Sequence, residues 1–70
     1  MPHVDIKMLP GRTRELKEEL ADKVKELIVT SLDVDAGIIS VSVQDVCLED
    51  WDRVMQNIAP ETVIIRNGNQ

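Results

Sequence analysis

Hydrophobic and polar residues alternate at the start of the chain. Val4, Ile6 and Met8 would fall on one face of an extended segment, and the residues between them are polar. A period of two is typical of a β-strand with one buried face. The pattern predicts a first strand over residues 3–8.

The next segment has the period of an amphipathic helix. Pro10 and Gly11 interrupt the strand pattern, and Thr13 stands where a helix N-cap is expected, with Glu15 in the first turn. Apolar residues then recur at spacings of three and four, which predicts a helix over residues 13–32. The apolar stripe consists of Leu16, Leu20, Val24, Leu27, Ile28 and Leu32.

A turn and a second strand follow this helix. Residues 33–37 have the composition of a turn, and Ile39, Val41 and Val43 then alternate with polar residues. The order strand, helix, strand predicts an α/β fold built on one β-α-β unit. Its strands should be parallel, with the long helix crossing over one face in the right-handed sense.

The last third of the chain predicts two shorter elements. A second helix is expected from about 48 to 58, ended by Pro60, and a short C-terminal β-strand over 62–66. The strand could pack on the chain's own sheet, or it could pair across a subunit boundary. The apolar residues behind these predictions are Leu48, Trp51, Val54, Met55 and Ile58 in the helix and Val63, Ile64 and Ile65 in the strand.

The size of the chain limits its core. Its 70 residues predict a single domain, 1–70, and a monomer of this size buries only about 60% of the surface that its unfolded chain exposes. Cys47 is the sole cysteine and His3 the sole histidine, so we expect neither an intrachain disulfide nor a metal site to compensate. Self-association is the remaining source of burial, and we expect a homo-oligomer.

Charge and hydropathy narrow the classes of partner and location. The net charge is −5, with 13 acidic and 8 basic residues. Nucleic acids and anionic membranes both need a basic surface, so we expect neither as a partner. No apolar run approaches the roughly 20 residues that span a bilayer, and the first residues lack the regions of a signal peptide. We therefore expect a cytoplasmic protein.

Pro2 is a candidate catalytic base. Methionine is normally removed before a small residue, and removal of Met1 would leave Pro2 as a secondary amine. Because α-amino groups titrate at about 8, desolvation or a nearby cation, which Arg12 could supply, would have to lower the pKa of this amine. Many proteins begin with Met-Pro for no catalytic reason, so Pro2 alone does not identify a function.

Arg12 is a candidate substrate-binding residue. It lies at the predicted start of the long helix, where backbone N–H groups favour an anion and a guanidinium suits a carboxylate. In the alternative reading, Gly11 makes the turn, Thr13 caps the helix and Arg12 is solvated. The first strand separates Arg12 from Pro2, so an oligomer could be needed to bring the two side chains together.

The chain resembles the 4-oxalocrotonate tautomerase family over nearly all of residues 1–51. The resemblance rests on MPHVDIKMLPGRTRELKEELADKV, on SLDVDAGIISVSVQDV and on Trp51. It implies β-α-β protomers that assemble as dimers or hexamers. It also implies keto–enol tautomerase activity on a 2-keto/enol carboxylic acid, with no metal or organic cofactor.

The same resemblance assigns roles to residues by position. Pro2 matches the catalytic proline, Arg12 the arginine that binds a substrate carboxylate, and Trp51 an aromatic residue that lines the pocket and lowers the proline pKa. Trp51 could instead anchor the second helix in the core. His3 could tune its neighbour Pro2, and a structural or solvent-facing role is its alternative.

Ser40 departs from the family pattern. The family's second arginine falls at this position, so the clamp expected for a dicarboxylate is incomplete, and Ser40 could supply only a hydrogen bond. Arg14 or Arg66 could replace the lost cation. The segment MPHVDIK, together with Trp51 and residues 58–60, looks more like the dimeric branch of the family, which favours aryl enolpyruvates. We therefore expect a dimer rather than a hexamer.

Two alternatives to a tautomerase stay open. The same proline could serve a hydratase, decarboxylase or dehalogenase of this family. The chain could also be a non-catalytic oligomerising module that retains the fold and Pro2 without using the amine.

Overall fold

The structure, a computed structural model, describes residues 1–68. It confirms the predicted β-α-β unit, which two short 3-10 helices and a second α-helix extend. In chain order the elements are β1 (His3–Met8), α1 (Arg14–Leu32), a 3-10 helix (Ala36–Ile38), β2 (Ser40–Asp45), α2 (Leu48–Gln56) and a second 3-10 helix (Pro60–Thr62).

β1 and β2 form a two-stranded parallel sheet. His3 lies opposite Ser40, and the register continues without interruption to the end of both strands. The ladder extends beyond the strands at both ends, because the Ser40 N–H donates to the Pro2 carbonyl at 3.3 Å and the Val46 N–H donates to the Met8 carbonyl at 2.8 Å. The predicted parallel pairing is therefore confirmed, and Pro2 is held at the start of the sheet.

Both ends of α1 carry the features expected of caps. The Thr13 hydroxyl accepts the Leu16 N–H at 3.2 Å, and Asp33 ends the helix in the left-handed conformation, with φ at 54°. Gly11, in the turn before the helix, has φ at 132°, where a side chain would strain the backbone. The helix predicted over 13–32 is confirmed, with Thr13 as its cap.

The core of the protomer is small. α1 packs on β2, and the Lys17 ammonium, 2.8 Å from the Asp45 carboxylate, ties the first turns of α1 to the end of β2. Within residues 1–68, Ile39 and Val46 are the two buried hydrophobic residues, and no side chain is fully buried. Nothing in this part of the chain is long and apolar enough, as a helix, to cross a membrane.

α2 is shorter than predicted and stands apart from the rest of the protomer. It ends at Gln56, not at residue 58, because the Asn57 and Ile58 N–H groups donate three residues back, at 3.2 and 3.1 Å. In the described part of the chain, α2 does not pack on β1, on β2 or on α1. Among the described elements, its apolar side therefore has neither the sheet nor α1 as a partner.

Within one protomer, the described residues 62–66 do not form the predicted C-terminal strand. The 3-10 helix Pro60–Thr62 occupies its start, and the Val63 N–H donates back into that helix at 3.2 Å instead of to a neighbouring strand. Ile64 and Ile65 follow with 90% and 85% of their surface exposed. The segment does not pack on the chain's own sheet, which leaves pairing across a subunit boundary as the prediction that stays open.

Candidate active site

Pro2 and Ser40 lie next to each other at the amino-terminal end of the sheet, where both strands begin. The Ser40 N–H donates to the Pro2 carbonyl, and this bond places the start of β2 beside the start of the chain. Pro2 is half-buried, whereas Met1 is 98% exposed. Loss of Met1 would therefore cost almost no packing and would leave the proline amine at this edge.

His3 joins the same edge through its side chain. Its Nδ1 lies 2.6 Å from Ser40 Oγ, and its Nε2 lies 3.2 Å from Ser42 Oγ. The Ser42 hydroxyl in turn donates to Asp5 Oδ1 at 2.6 Å. His3 and Ser40 are both exposed, so a bound molecule could reach the imidazole and the hydroxyl at once.

The sequence did not single out this contact. His3 opens β1 and Ser40 opens β2, so the parallel register alone brings them opposite each other. The alternation of apolar and polar residues in the two strands indicates that the side chains of His3 and Ser40 lie on the face opposite the apolar one. It does not fix the register, and a shift of two residues would have paired His3 differently while leaving the apolar face intact.

Asp5 collects hydrogen-bond donors from both strands. The Lys7 ammonium contacts its carboxylate, the Ser42 hydroxyl donates to it, and Gln44 Nε2 lies 3.2 and 3.1 Å from its two oxygens. These donors, the hydrogen bond from Lys7 first among them, lower the pKa of Asp5 from 3.8 to about 2. The carboxylate is thus ionised under all ordinary conditions.

This depressed pKa predicts a pH dependence of stability. The unfolded carboxyl has a pKa of about 3.9, so the stabilisation by ionised Asp5 is present above that value and is lost as the pH falls toward about 2. We expect the melting temperature of the wild type to exceed that of Asp5→Asn at pH 6 and the gap to shrink toward pH 2. Thermal melts followed by circular dichroism measure this difference in melting temperature at each pH.

The matched control is Asp52→Asn, which removes an exposed carboxylate from α2. Its melting temperature should follow that of the wild type across the same pH range. A gap between wild type and Asp5→Asn that stays constant from pH 6 to pH 2 would contradict the assignment.

Arg12 and Trp51 lie at the other end of the sheet. Arg12 follows the carboxyl end of β1, and Trp51, half-buried, is in α2 beyond the carboxyl end of β2. The strands are parallel, so the length of the sheet, about 20 Å for strands of this length, separates Arg12 from Pro2. Trp51 is in α2, which packs on neither strand. One protomer therefore brings Pro2 and Ser40 together but does not bring Arg12 or Trp51 to them.

The two proposed replacements for the missing cation are engaged elsewhere. Arg14 Nε pairs with Glu18 at 3.0 Å, one turn along α1. Arg66 Nη2 lies 3.5 Å from the Pro60 carbonyl. Among the residues that the structure describes, the basic side chain in hydrogen-bond contact with Ser40 is His3.

Two open clefts lie away from Pro2, Arg12, Ser40 and Trp51. One, of about 580 Å³, lies between α1 and the first 3-10 helix, and the other, of about 190 Å³, lies between α1 and β2. Neither is lined by any of the four predicted site residues. The chemistry predicted from the sequence thus does not sit in either of these two clefts.

Comparison with known proteins gives the family. A family model described as tautomerase enzyme matches residues 2–53. A probable tautomerase of Xylella fastidiosa (strain 9a5c) is 41% identical over 51 residues, which are 73% of this chain and 62% of the relative. The chain thus spans less than two thirds of that relative's length.

A solved structure is similar as well. A 4-oxalocrotonate tautomerase isozyme from Methylibium petroleiphilum superposes with a TM-score of 0.67 at 28% identity, over 71% of this chain and 81% of that one. The family match begins at Pro2 and includes both strands and α1. On the family match and the 41% identity, the chain belongs to the tautomerase family.

Proposed function

We propose that this protein is an isomerase, a keto–enol tautomerase, in which the Pro2 amine is the general base. The observation that carries the proposal is that the family match begins at Pro2. The hydrogen bond from Ser40 to the Pro2 carbonyl supports it, because it holds the amine at a defined edge of the sheet. The substrate is a 2-keto/enol carboxylic acid such as an aryl enolpyruvate, a small-molecule partner in the cytoplasm. Because the net charge of the chain is −5, the carboxylate of this substrate must meet a local cationic group.

The reaction needs only the movement of a proton. With Met1 removed, the neutral Pro2 nitrogen takes the proton from the enol hydroxyl, and the electron pair of the enolate double bond then takes it back at carbon. Oxidation states are unchanged, and no group is transferred. Positioned acid–base catalysis of this kind contributes about 10²–10⁴-fold to a rate, and Arg12 would stabilise the enolate charge.

We further propose that the working form is a homo-oligomer, with a dimer favoured. A compact monomer of this mass exposes about 4,400 Å², whereas this chain exposes 5825 Å². The radius of gyration is 13.7 Å, against about 11 Å for a compact domain of this length. The excess surface exceeds the roughly 800 Å² that each partner buries in a stable complex. A second copy could also bring Arg12 and Trp51 to Pro2.

A blocked N-terminus tests the role of the amine. Inserting an alanine between Met1 and Pro2 converts the secondary amine into an amide, which cannot act as a base. We expect the Met1-free wild type, verified by intact mass, to accelerate ketonisation of phenylpyruvate enol. The blocked protein should lose most of that rate.

The control adds an alanine after Gln70, which lengthens the chain equally and leaves the amine free. If the blocked and control proteins ketonise the enol at the same rate, the amine is not the base. If the processed wild type is inactive toward this enol and toward 2-hydroxydienoates, a non-catalytic oligomerising module takes the place of the tautomerase.

A further inference from the structure

The contacts around His3 determine which group donates and which accepts in each hydrogen bond of this cluster. The Asp5 carboxylate is ionised and can only accept, so the Ser42 hydroxyl, 2.6 Å away, donates to it. The Ser42 oxygen then accepts from His3 Nε2–H. In the neutral imidazole the remaining nitrogen, Nδ1, has a lone pair, and the Ser40 hydroxyl donates to it at 2.6 Å.

Protonation of His3 reverses only the last of these bonds. The imidazolium carries a hydrogen on each ring nitrogen, so Nδ1–H now donates to Ser40 Oγ, and the Ser40 hydrogen is free for another acceptor. The bond from Nε2 to Ser42 is unchanged, so the ring need not move. A single proton thus creates a positive charge and an adjacent hydroxyl donor beside Pro2.

We propose that His3 and Ser40 form a proton-coupled anion-binding pair, which holds the carboxylate of the substrate next to Pro2. This inference rests on the proposed function and names the residues that bind the acid group at the Pro2 end of the sheet. The anion accepts from the freed Ser40 hydroxyl and lies against the imidazolium. Charge-assisted hydrogen bonds are about twice as strong as neutral ones, so the protonated pair binds the anion more tightly than the neutral pair does.

The other charged groups on this face do not oppose an anion. From β1, Asp5 and Lys7 face the same side as His3, and the ammonium of Lys7 contacts the Asp5 carboxylate and offsets its charge. β2 contributes the uncharged side chains of Ser40, Ser42 and Gln44 on this side, while α1 packs on β2 from the opposite face, where Val41 and Val43 lie against it. After loss of Met1, the amine of Pro2 is a further titrating group at this end of the sheet.

The sole histidine makes the pair directly observable, because its imidazole gives the single set of histidine NMR signals. The probe is 3-phenylpropionate, a saturated aryl carboxylate that cannot tautomerise. We expect the probe to raise the midpoint of the imidazole titration in the Met1-free wild type. We also expect its dissociation constant to be about 10-fold lower at pH 5.5 than at pH 8.

Two variants separate this pair from other sources of pH dependence. His3→Asn keeps an amide that can donate to Ser40 but does not titrate, so any pH dependence that it retains reports the Pro2 amine. Ser40→Ala keeps the imidazole and removes the hydroxyl, so the probe should move its titration midpoint much less. Ser31→Ala, an exposed serine on α1, is the matched control and should behave as the wild type.

Each outcome bears on the pair separately from the role of Pro2. If 3-phenylpropionate leaves the wild-type imidazole titration unmoved, or if His3→Asn keeps the full pH dependence of binding, the anion does not bind at this pair. The wild-type titration needs no variant to fold. Probe binding requires no proton transfer to Pro2. If blocking the N-terminus leaves the rate of ketonisation unchanged while the probe still binds in a His3-dependent way, the proposed function is overturned and the anion site is retained.

Discussion

Pro2→Ala is expected to lower kcat/KM for phenylpyruvate enol by about 10²-fold or more, because it replaces the positioned secondary amine with a primary amine on a more mobile residue. Alanine also allows removal of Met1, so the processed chain still begins with a free amine. It keeps the carbonyl that accepts the Ser40 N–H, so the sheet edge is preserved. Initial rates of ketonisation, with circular dichroism to verify the fold, measure the effect.

Pro10→Ala is the matched control for this substitution. Pro10 is exposed in the turn that follows β1, at the opposite end of the strand from Pro2. Its replacement makes the same chemical change and should leave kcat/KM within a few-fold of the wild type. Equal losses in the two variants would mean that proline content, and not the amine of residue 2, limits the rate.

Replacing Ile64 and Ile65 together by lysine is expected to dissociate the oligomer. Each buried isoleucine contributes about 1.5–3 kcal/mol, so loss of both from an interface should raise the dissociation constant by about 10²-fold or more. The two lysines change the net charge from −5 to −3, so stronger general repulsion cannot account for dissociation. Sedimentation velocity over a range of concentrations measures the association.

A charge-matched variant and the melting temperature complete this test of the oligomer. Ser31→Lys combined with Gln56→Lys makes an equal change in charge at exposed polar positions and should leave the association unchanged. In the wild type, the melting temperature should rise with protein concentration, because association stabilises the folded chain by mass action. A wild type that sediments as a stable monomer at every concentration would overturn the proposed oligomer.

The parts of the fold that could be predicted are those with a long or regular pattern. The apolar stripe of α1 repeats over five turns and is bounded by Thr13 and Asp33, so its limits were predicted nearly to the residue. The alternation in β1 and β2 fixed which face of each strand is apolar. Their parallel pairing follows from the connection through α1 and not from the strands themselves.

The C-terminal segment shows where pattern reading fails. A run of three apolar residues, Val63 to Ile65, satisfies the composition of a strand, but pairing needs an accessible neighbour and free N–H groups. The 3-10 helix that starts at Pro60 uses the Val63 N–H locally, and Ile64 and Ile65 are then exposed to solvent. Composition alone cannot distinguish a residue that packs in its own protomer from one that packs in an assembly.

The candidate site could be predicted in its residue types but not in its assembly. The resemblance carried by Pro2, Arg12 and Trp51 names them one by one, and the structure puts them at opposite ends of the sheet. The contact of His3 with Ser40 depends on a strand register that the alternation of apolar residues does not determine.

The parallel direction of β1 and β2 has a geometric consequence for any two-fold symmetric pair. A two-fold axis perpendicular to the sheet, passing beside the free edge of one strand, makes that strand antiparallel to its own copy. The amino-terminal end of each sheet then lies next to the carboxyl-terminal end of the other. Such an axis would bring each Pro2 toward the partner subunit's Arg12 and would create two equivalent composite sites per dimer.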